Sequence, residues 1–119
     1  MKLKKFKYKV INSTNDLAIR IIKNTNIKSG IVIAEKQKNG RGQYGKKWIS
    51  YKGNLFVSIF FPLDKIKLSL KELTKINCLL IKKLLSEFYK GKIMIKKPND
   101  LLIKNKKISG ILQETLSKS

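Results

Sequence analysis

Histidine is absent from the 119-residue sequence, and cysteine occurs once, as Cys78. The lack of histidine excludes Ser-His-Asp and Cys-His nucleophilic catalysis as well as the usual zinc sites. A single cysteine cannot form an internal disulfide and suits a reducing compartment. Because Cys78 falls within a helical apolar pattern, we predict a buried, unreactive thiol rather than a nucleophile.

Acidic residues are also scarce, with 7 Asp and Glu against 28 Lys and Arg, which gives a formal net charge of +21. The carboxylates are scattered and only Asp100 lies inside a motif, so a hydrolase with paired carboxylates is disfavoured. Only two of the basic residues are arginine, Arg20 and Arg41. Because specific nucleic-acid recognition favours arginine for bidentate contacts, we expect nucleic acid to bind only non-specifically.

Long apolar runs are missing too. The stretch of residues 55–62 is far shorter than the roughly 20 residues that a membrane-spanning helix needs. No apolar signal-peptide core follows the basic N-terminal residues. With 42% hydrophobic residues, the chain is long enough for one globular domain, residues 1–119, which we expect to be cytoplasmic.

Periodicity in the first half of the chain predicts a strand, a helix and a further strand. Residues 5–10 alternate lysine with apolar side chains, the pattern of a strand with one buried face. Ser13 and Asp16 form a capping-box pattern that begins a helix, and Gly30 opens a short apolar run typical of a central strand. The faces expected to be buried are Phe6, Tyr8 and Val10 on the strand, and Leu17, Ala18, Ile21 and Ile22 on the helix.

The second half predicts two strands at residues 48–51 and 55–61, a long helix and a hairpin. Ser69 and Glu72 begin the helix, and Gly91 is placed to cap its end. The hairpin joins residues 101–103 and 108–112, with Asn105 suited to the left-handed turn position. The helix face expected to pack on the sheet carries Leu73, Ile76, Leu80, Leu84 and Phe88. The predicted fold is α/β (α+β), a mixed β-sheet covered by at least two helices.

Residues 40–48, Gly-Arg-Gly-Gln-Tyr-Gly-Lys-Lys-Trp, form a glycine-rich loop. Glycine allows backbone N–H groups to converge on an anion, and Arg41 adds a planar fork of donors for a carboxylate or phosphate. The loop precedes a strand rather than a helix, so it is not a dinucleotide-binding fingerprint. A flexible hairpin loop without a ligand remains the alternative interpretation.

Two further motifs follow, Lys-Lys-Pro-Asn-Asp at 96–100 and Lys-Ile-Ser-Gly-Ile-Leu at 107–112. Together with the loop they supply backbone amides, cationic side chains and one Asn-Asp pair. This inventory suits chemistry done by holding anions together rather than by side-chain acid–base catalysis.

These segments resemble the biotin protein ligases (biotin–[acetyl-CoA-carboxylase] ligases), whose catalytic domain is class II synthetase-like. Ser-Thr-Asn at 13–15 is similar to the start of the family's first helix, and Ala-Glu-Lys-Gln at 34–37, leading through the loop to Trp48, resembles its biotin loop. Gly-Asn-Leu-Phe-Val-Ser at 53–58, the motifs at 96–100 and 107–112, and Glu114 follow in the family's order. The loop typical of lipoate ligases, R-R-x-x-G-G-G, is absent.

The resemblance implies a ligase that uses biotin, ATP and Mg²⁺. Biotin would attack the α-phosphate of Mg·ATP to give biotinyl-5′-AMP, and a lysine of a biotin carboxyl carrier protein domain would then take the biotin. The implied catalytic residues are Arg41 and Lys107. The implied biotin-binding residues are Ser13, Thr14, Gln37, Gly40, Arg41, Lys107 and Gly110. The implied ATP- and phosphate-binding residues are Arg41, Lys46, Trp48, Lys96, Asn99 and Asp100, with Asn99 also a ligand of Mg²⁺ and Trp48 beside the adenine.

Local structural roles compete with two of these assignments, because Ser13 could serve only as a helix cap and Trp48 only as a core residue. The sequence also departs from the family pattern: Gln43 and Lys46 replace arginines, and Lys97 replaces a tryptophan. Family catalytic domains continue into a G-x-G-x-N segment that this chain lacks, and no DNA-binding module precedes it. We therefore expect a catalytic domain truncated at its C-terminus.

Alternative functions left open are an inactive or split ligase fragment, completed by a second chain, and a basic nucleic-acid-binding module. The second would use aromatic residues among the lysines for base stacking.

Overall fold

The computed structural model describes residues 2–117, which form two compact units, residues 2–66 and residues 67–117. The elements of the first unit are β1 (Lys4–Ile11), α1 (Thr14–Asn24), β2 (Gly30–Gln37), β3 (Gly40–Arg41), a 3₁₀ turn (Gln43–Gly45), β4 (Lys47–Trp48) and β5 (Phe56–Phe60). Those of the second unit are α2 (Leu70–Leu85), β6 (Met94–Lys96), β7 (Asp100–Ile103) and β8 (Lys106–Gly110). The predicted mixture of helices and sheets is confirmed, with three small sheets in place of one.

A mixed three-stranded sheet in the order β1-β2-β5 organises the first unit. β1 runs parallel to β2, with α1 as the crossover connection, and β5 runs antiparallel to β2. α1 packs on β2 and β5, and the core beneath it contains Ala18, Ile21, Val32 and Phe60. Gly30 is required at the start of β2, because a Cβ there would lie 2.6 Å from the Phe60 ring.

The buried face of β1 is shorter than predicted. Phe6 packs against the core, whereas Tyr8 and Val10 are 41% and 48% exposed. β1 is an edge strand of its sheet, and α1 packs mainly over β2 and β5. The helix therefore leaves Tyr8 and Val10, in the second half of β1, uncovered. Ile22, predicted on the buried face of α1, is also exposed.

The strand predicted at residues 48–51 is wrong in extent. β4 contains only Lys47–Trp48, and it pairs with β3 through Gly40–Trp48 and Arg41–Lys47. The pairing does not continue beyond Trp48 because the residues before Gly40 are bonded elsewhere: the Lys38 and Asn39 N–H groups donate to the Ile11 and Asn12 carbonyls at 2.9 Å and 2.8 Å.

The second unit contains an antiparallel sheet in the order β6-β7-β8. The β7–β8 turn has both Lys104 (φ 50°) and Asn105 (φ 64°) in the left-handed region, as a two-residue hairpin turn of type I′ requires. The prediction for Asn105 is confirmed. Leu101 pairs with Ser109 and Leu102 with Lys107, which leaves Ile108 as the extra residue of a bulge.

α2 begins as predicted, since Ser69 Oγ accepts from the Glu72 N–H at 3.1 Å, but its buried face was predicted wrongly. Cys78 is the buried residue, at 1% exposure, whereas Leu80 and Leu84 face solvent and Phe88 lies beyond the helix end, 82% exposed. Apolar residues cover a broad arc of α2, so periodicity alone does not select the packed face. No helix within residues 2–117 combines the length and apolar character that spanning a membrane requires.

The predicted cap at Gly91 is also wrong. The helix ends at Leu85, and the Ser86 N–H donates to the Lys82 carbonyl at 2.9 Å.

Candidate ligand-binding site

Gln37, at the end of β2, joins three segments of the first unit. Its Oε1 accepts from the Thr14 N–H at 2.8 Å, and its Nε2 donates to Ser50 Oγ at 3.2 Å. Gly40 lies against this amide: a Cβ there would lie 2.7 Å from Gln37 Nε2 and 3.0 Å from the Trp48 carbonyl oxygen. Any side chain at position 40 would therefore displace the Gln37 bridge.

The start of α1 is buried and polar. Ser13 caps the helix by accepting from the Asp16 N–H at 3.2 Å, so its capping role is confirmed. The Ser58 hydroxyl lies 2.7 Å from Thr14 Oγ1 and also contacts Asn15 Oδ1. Ser13, Thr14 and Ser58 are each less than a tenth exposed, so this network fixes the first turn of the helix.

The glycine-rich loop is a short hairpin closed by the β3–β4 pairing. Its tip has Tyr44 (φ 58°) and Gly45 (φ 72°) in the left-handed region, and the Tyr44 side chain is 93% exposed. Trp48 is half-buried, beside Gly40 in the ladder. The predicted loop residues are thus held in one local structure.

Arg41 extends from this hairpin to the first turn of α1. Its Nε and one terminal nitrogen donate to a single oxygen, Asp16 Oδ1, at 3.1 Å and 2.5 Å. The two side chains are 31% and 46% exposed. Sequence reasoning assigned Asp16 only to the helix cap and missed this contact, which joins residues 25 positions apart.

A cavity of about 340 Å³ lies beside this ion pair. Its lining residues are Asp16, Asn39, Gly40, Arg41, Gly45, Lys46 and Lys47. The lining contains three cationic residues and one carboxylate, a charge balance that suits an anionic ligand.

Ser50 and Ser58 were also missed as site residues. The sequence offers little indication of either residue. Ser58 is a polar residue within the otherwise apolar strand β5, where it is buried, whereas nothing in the local pattern distinguishes Ser50.

The second unit holds the other predicted residues in its sheet. Lys96, Asp100 and Gly110 are register partners across β6, β7 and β8. Lys107 Nζ lies 3.0 Å from Asp100 Oδ1, with the lysine side chain 43% exposed. Asn99 donates from Nδ2 to the Ile111 carbonyl at 2.5 Å, so its side chain holds the strand end next to this pair.

Cys78 packs beneath the same motif. Its thiol donates to the Pro98 carbonyl, with an Sγ–O distance of 3.6 Å, and the residue is 1% exposed. Burial, and secondarily the charge of Asp100, raises the pKa of the Cys78 thiol above its ordinary value of 9.0. The predicted burial of the Cys78 thiol is confirmed.

This shift predicts how stability depends on pH. The thiol contributes its full stabilisation below pH 9.0; above that pH the unfolded chain ionises first, so the free energy of unfolding should fall. In Cys78→Ala the fall should be smaller, because no thiol titrates. Urea unfolding of both proteins on either side of pH 9.0 measures the difference. The same pH dependence in both would contradict the assignment.

The chain is thus an α+β domain whose candidate site offers backbone amides, arginine and lysine side chains. Residues 8–119 match the Biotin/lipoate A/B protein ligase family, and the chain belongs to it.

Curated relatives include the bifunctional ligase/repressor BirA of Escherichia coli and that of Bacillus subtilis. The chain is 35% identical to the first over 112 residues, covering 92% of this chain and 34% of the relative. It is 32% identical to the second over 106 residues, covering 88% of this chain and 33% of the relative. The chain thus spans about a third of the length of these curated relatives.

Solved structures give a consistent result. The Aquifex aeolicus biotin protein ligase in complex with biotin and ATP superposes with a TM-score of 0.82 at 28% identity, covering 94% of this chain and 47% of that one. The Leishmania major biotin protein ligase in complex with biotinyl-5-AMP superposes with a TM-score of 0.80 at 26% identity, covering 97% and 53%. The fold is therefore that of biotin protein ligases.

Proposed function

We propose that this chain belongs to the catalytic domain of an ATP-dependent biotin–protein ligase. The enzyme forms biotinyl-5′-AMP and transfers biotin to a lysine of a biotin carboxyl carrier protein domain. The observation that carries the proposal is the Gln37 bridge. It joins Thr14 to Ser50 against Gly40, so residues from two separate motifs of the family meet in one polar cluster. The relatives crystallised with biotin, ATP and biotinyl-5-AMP support the same substrates.

In this proposal the first unit binds biotin. The buried turn at Ser13 and Thr14 and the amide of Gln37 offer fixed hydrogen-bonding groups for a polar ligand head, and Gly40 allows close approach to the backbone. Arg41 meets the biotin carboxylate and phosphate, while Lys46 and Trp48 serve the nucleotide. Gln37, Gly40, Arg41 and Trp48 lie in strands, which lowers the backbone ordering cost of binding.

The second unit supplies Lys107 to the reaction in this proposal. Both the attacking carboxylate and the α-phosphate are anionic, so a cation fixed beside them stabilises the charge of the transition state. Asp100 holds Lys107 Nζ at 3.0 Å, and Gly110 is the register partner of Asp100. Lys96, the register partner of Asp100 on the other side, binds phosphate.

Mg²⁺ accompanies ATP in the proposed reaction, where it would neutralise phosphate charge. Within residues 2–117, no cluster of three or more His, Cys, Asp or Glu side chains could hold a metal alone. Mg²⁺ commonly takes one or two carboxylates and completes its shell with substrate phosphates and water. Asn99, whose Nδ2 is committed to the Ile111 carbonyl, and Asp100 offer oxygens that fit this mode.

We assign the protein to the cytoplasm as part of the same proposal, supported by the reduced, buried thiol of Cys78. Nucleic acid is not a specific partner in this proposal.

The proposal predicts biotin-dependent exchange of labelled pyrophosphate into ATP by the purified chain, followed by transfer of biotin to a carrier protein. Lipoate in place of biotin is the control, because the wider family includes both ligases. Titration calorimetry with a non-hydrolysable biotinyl-adenylate measures binding separately from turnover. Equal use of lipoate, or neither exchange nor adenylate binding, would contradict the proposal.

A further inference from the structure

We propose that Asp16 is a positioning residue for Arg41, and that the contact between these two side chains holds the glycine-rich hairpin, residues 40–48, against α1. The ligand class that this arrangement serves, a carboxylate or phosphate, rests on the proposed function. The positioning itself rests on the geometry of the ion pair.

Asp16 is well placed to act as a fixed anchor. Its backbone N–H is bound to Ser13 Oγ at 3.2 Å, and the helix turn that carries it is fixed by the buried hydroxyls of Thr14 and Ser58. Its side chain contacts a residue 25 positions away, so the carboxylate does more than complete a capping box.

The hairpin, in contrast, has little apolar anchoring of its own. Between the buried Gly40 and the half-buried Trp48, no residue is buried. The β3–β4 pairing closes the hairpin on itself, and the contact from Arg41 to Asp16 ties it to the helix. Weakening that contact should therefore loosen the hairpin while the sheet stays intact.

Arg41 also supplies the arginine of the cavity lining. The chain has two arginines, Arg20 and Arg41, and position 43 of the hairpin carries glutamine. Lysine provides a mobile point charge, whereas arginine provides a rigid fork whose value depends on its orientation. Asp16 Oδ1 accepts hydrogen bonds from both Nε and one terminal nitrogen of Arg41. These two bonds fix the plane of the guanidinium at the cavity wall.

The scarcity of arginine provides a direct test. An arginine-specific protease has two target bonds in this chain, after Arg20 within α1 and after Arg41 within the hairpin. Asp16→Asn should accelerate cleavage after Arg41 by roughly two- to fivefold, the range for a partly exposed ion pair. Cleavage after Arg20 should change less, and Asp16→Glu should restore protection. Added salt should accelerate Arg41 cleavage in the parent and have little effect in Asp16→Asn.

Glu72→Gln is the matched control, because Glu72 occupies the equivalent position of the first turn of α2 in the other unit. It should leave Arg41 cleavage unchanged. Equal acceleration at Arg20 and Arg41 in Asp16→Asn would indicate a frayed helix and overturn the proposal. Unchanged cleavage at Arg41 would overturn it as well.

A binding measurement separates the proposal from the proposed function. If the parent binds biotinyl-adenylate, Asp16→Asn should weaken binding by a similar roughly two- to fivefold factor. Tighter binding would mean that Asp16 competes with the ligand for Arg41, which overturns the positioning role. If the parent binds no adenylate, the proposed function fails while the proteolysis result still decides the role of Asp16.

Discussion

Replacing Lys107 with alanine should lower the rate of biotinyl-adenylate formation by about a hundredfold or more, the usual cost of removing a group that stabilises developing charge. Lys107 lies on β8 with its ammonium 3.0 Å from Asp100, so its charge is positioned by the sheet rather than by a flexible chain. Two anionic groups must approach each other in the proposed reaction, and a fixed cation offsets their repulsion. Biotin-dependent pyrophosphate exchange measures the rate.

Lys106→Ala is the matched control, because it removes the same charge from the adjacent residue of the same strand. Lys106 pairs with Ile103 at the turn end of the hairpin, away from the Asp100–Gly110 pair. Its rate should stay within about threefold of the parent, well short of the loss expected for a catalytic cation. Similar rates for Lys107→Ala and the parent, or equal losses in both variants, would remove Lys107 from the mechanism.

Replacing Leu101 with alanine should lower the free energy of unfolding by about 2–5 kcal/mol. Leu101 is 0% exposed in the central strand of the second unit, between Ile95 on β6 and Ser109 on β8. Deleting its side chain removes buried apolar contacts and leaves a cavity that the strands can fill only in part. The loss is a large share of the roughly 5–15 kcal/mol that stabilises an ordinary domain. Urea unfolding monitored by circular dichroism measures it.

Leu80→Ala tests the reverse expectation in the same unit. Leu80 is 58% exposed on α2, so the same substitution should change stability by no more than about 0.5 kcal/mol. Equal losses at the two positions would mean that Leu80 is packed in solution, contrary to its exposure.

The variants at Asp16 and Lys107 test two proposals that are independent of each other. Asp16→Asn acts on a contact within the first unit, and Lys107→Ala acts within the second. The first is expected to alter binding by a few-fold and the second the reaction rate by a hundredfold, so their effects are distinguishable in one set of assays.

The sequence by itself determined the features that depend on short spacing. Ser13 and Ser69 cap their helices through the N–H three residues on, because that geometry is fixed by the helix itself. Asn105 takes the left-handed turn position because asparagine tolerates that conformation better than most residues. The ordered motifs also identified the family, since their order and spacing survive even where Gln43 and Lys97 depart from it.

The tertiary structure decided the features that depend on contacts between residues distant in sequence. Apolar residues cover a broad arc of α2, so packing against β7, rather than periodicity, determines that Cys78 is buried and Leu80 is exposed. The contact of Arg41 with Asp16 joins positions 25 apart and the bridge from Gln37 to Thr14 joins positions 23 apart. No local pattern encodes such pairs, because a side chain's partner across the fold is set by where the strands place both backbones.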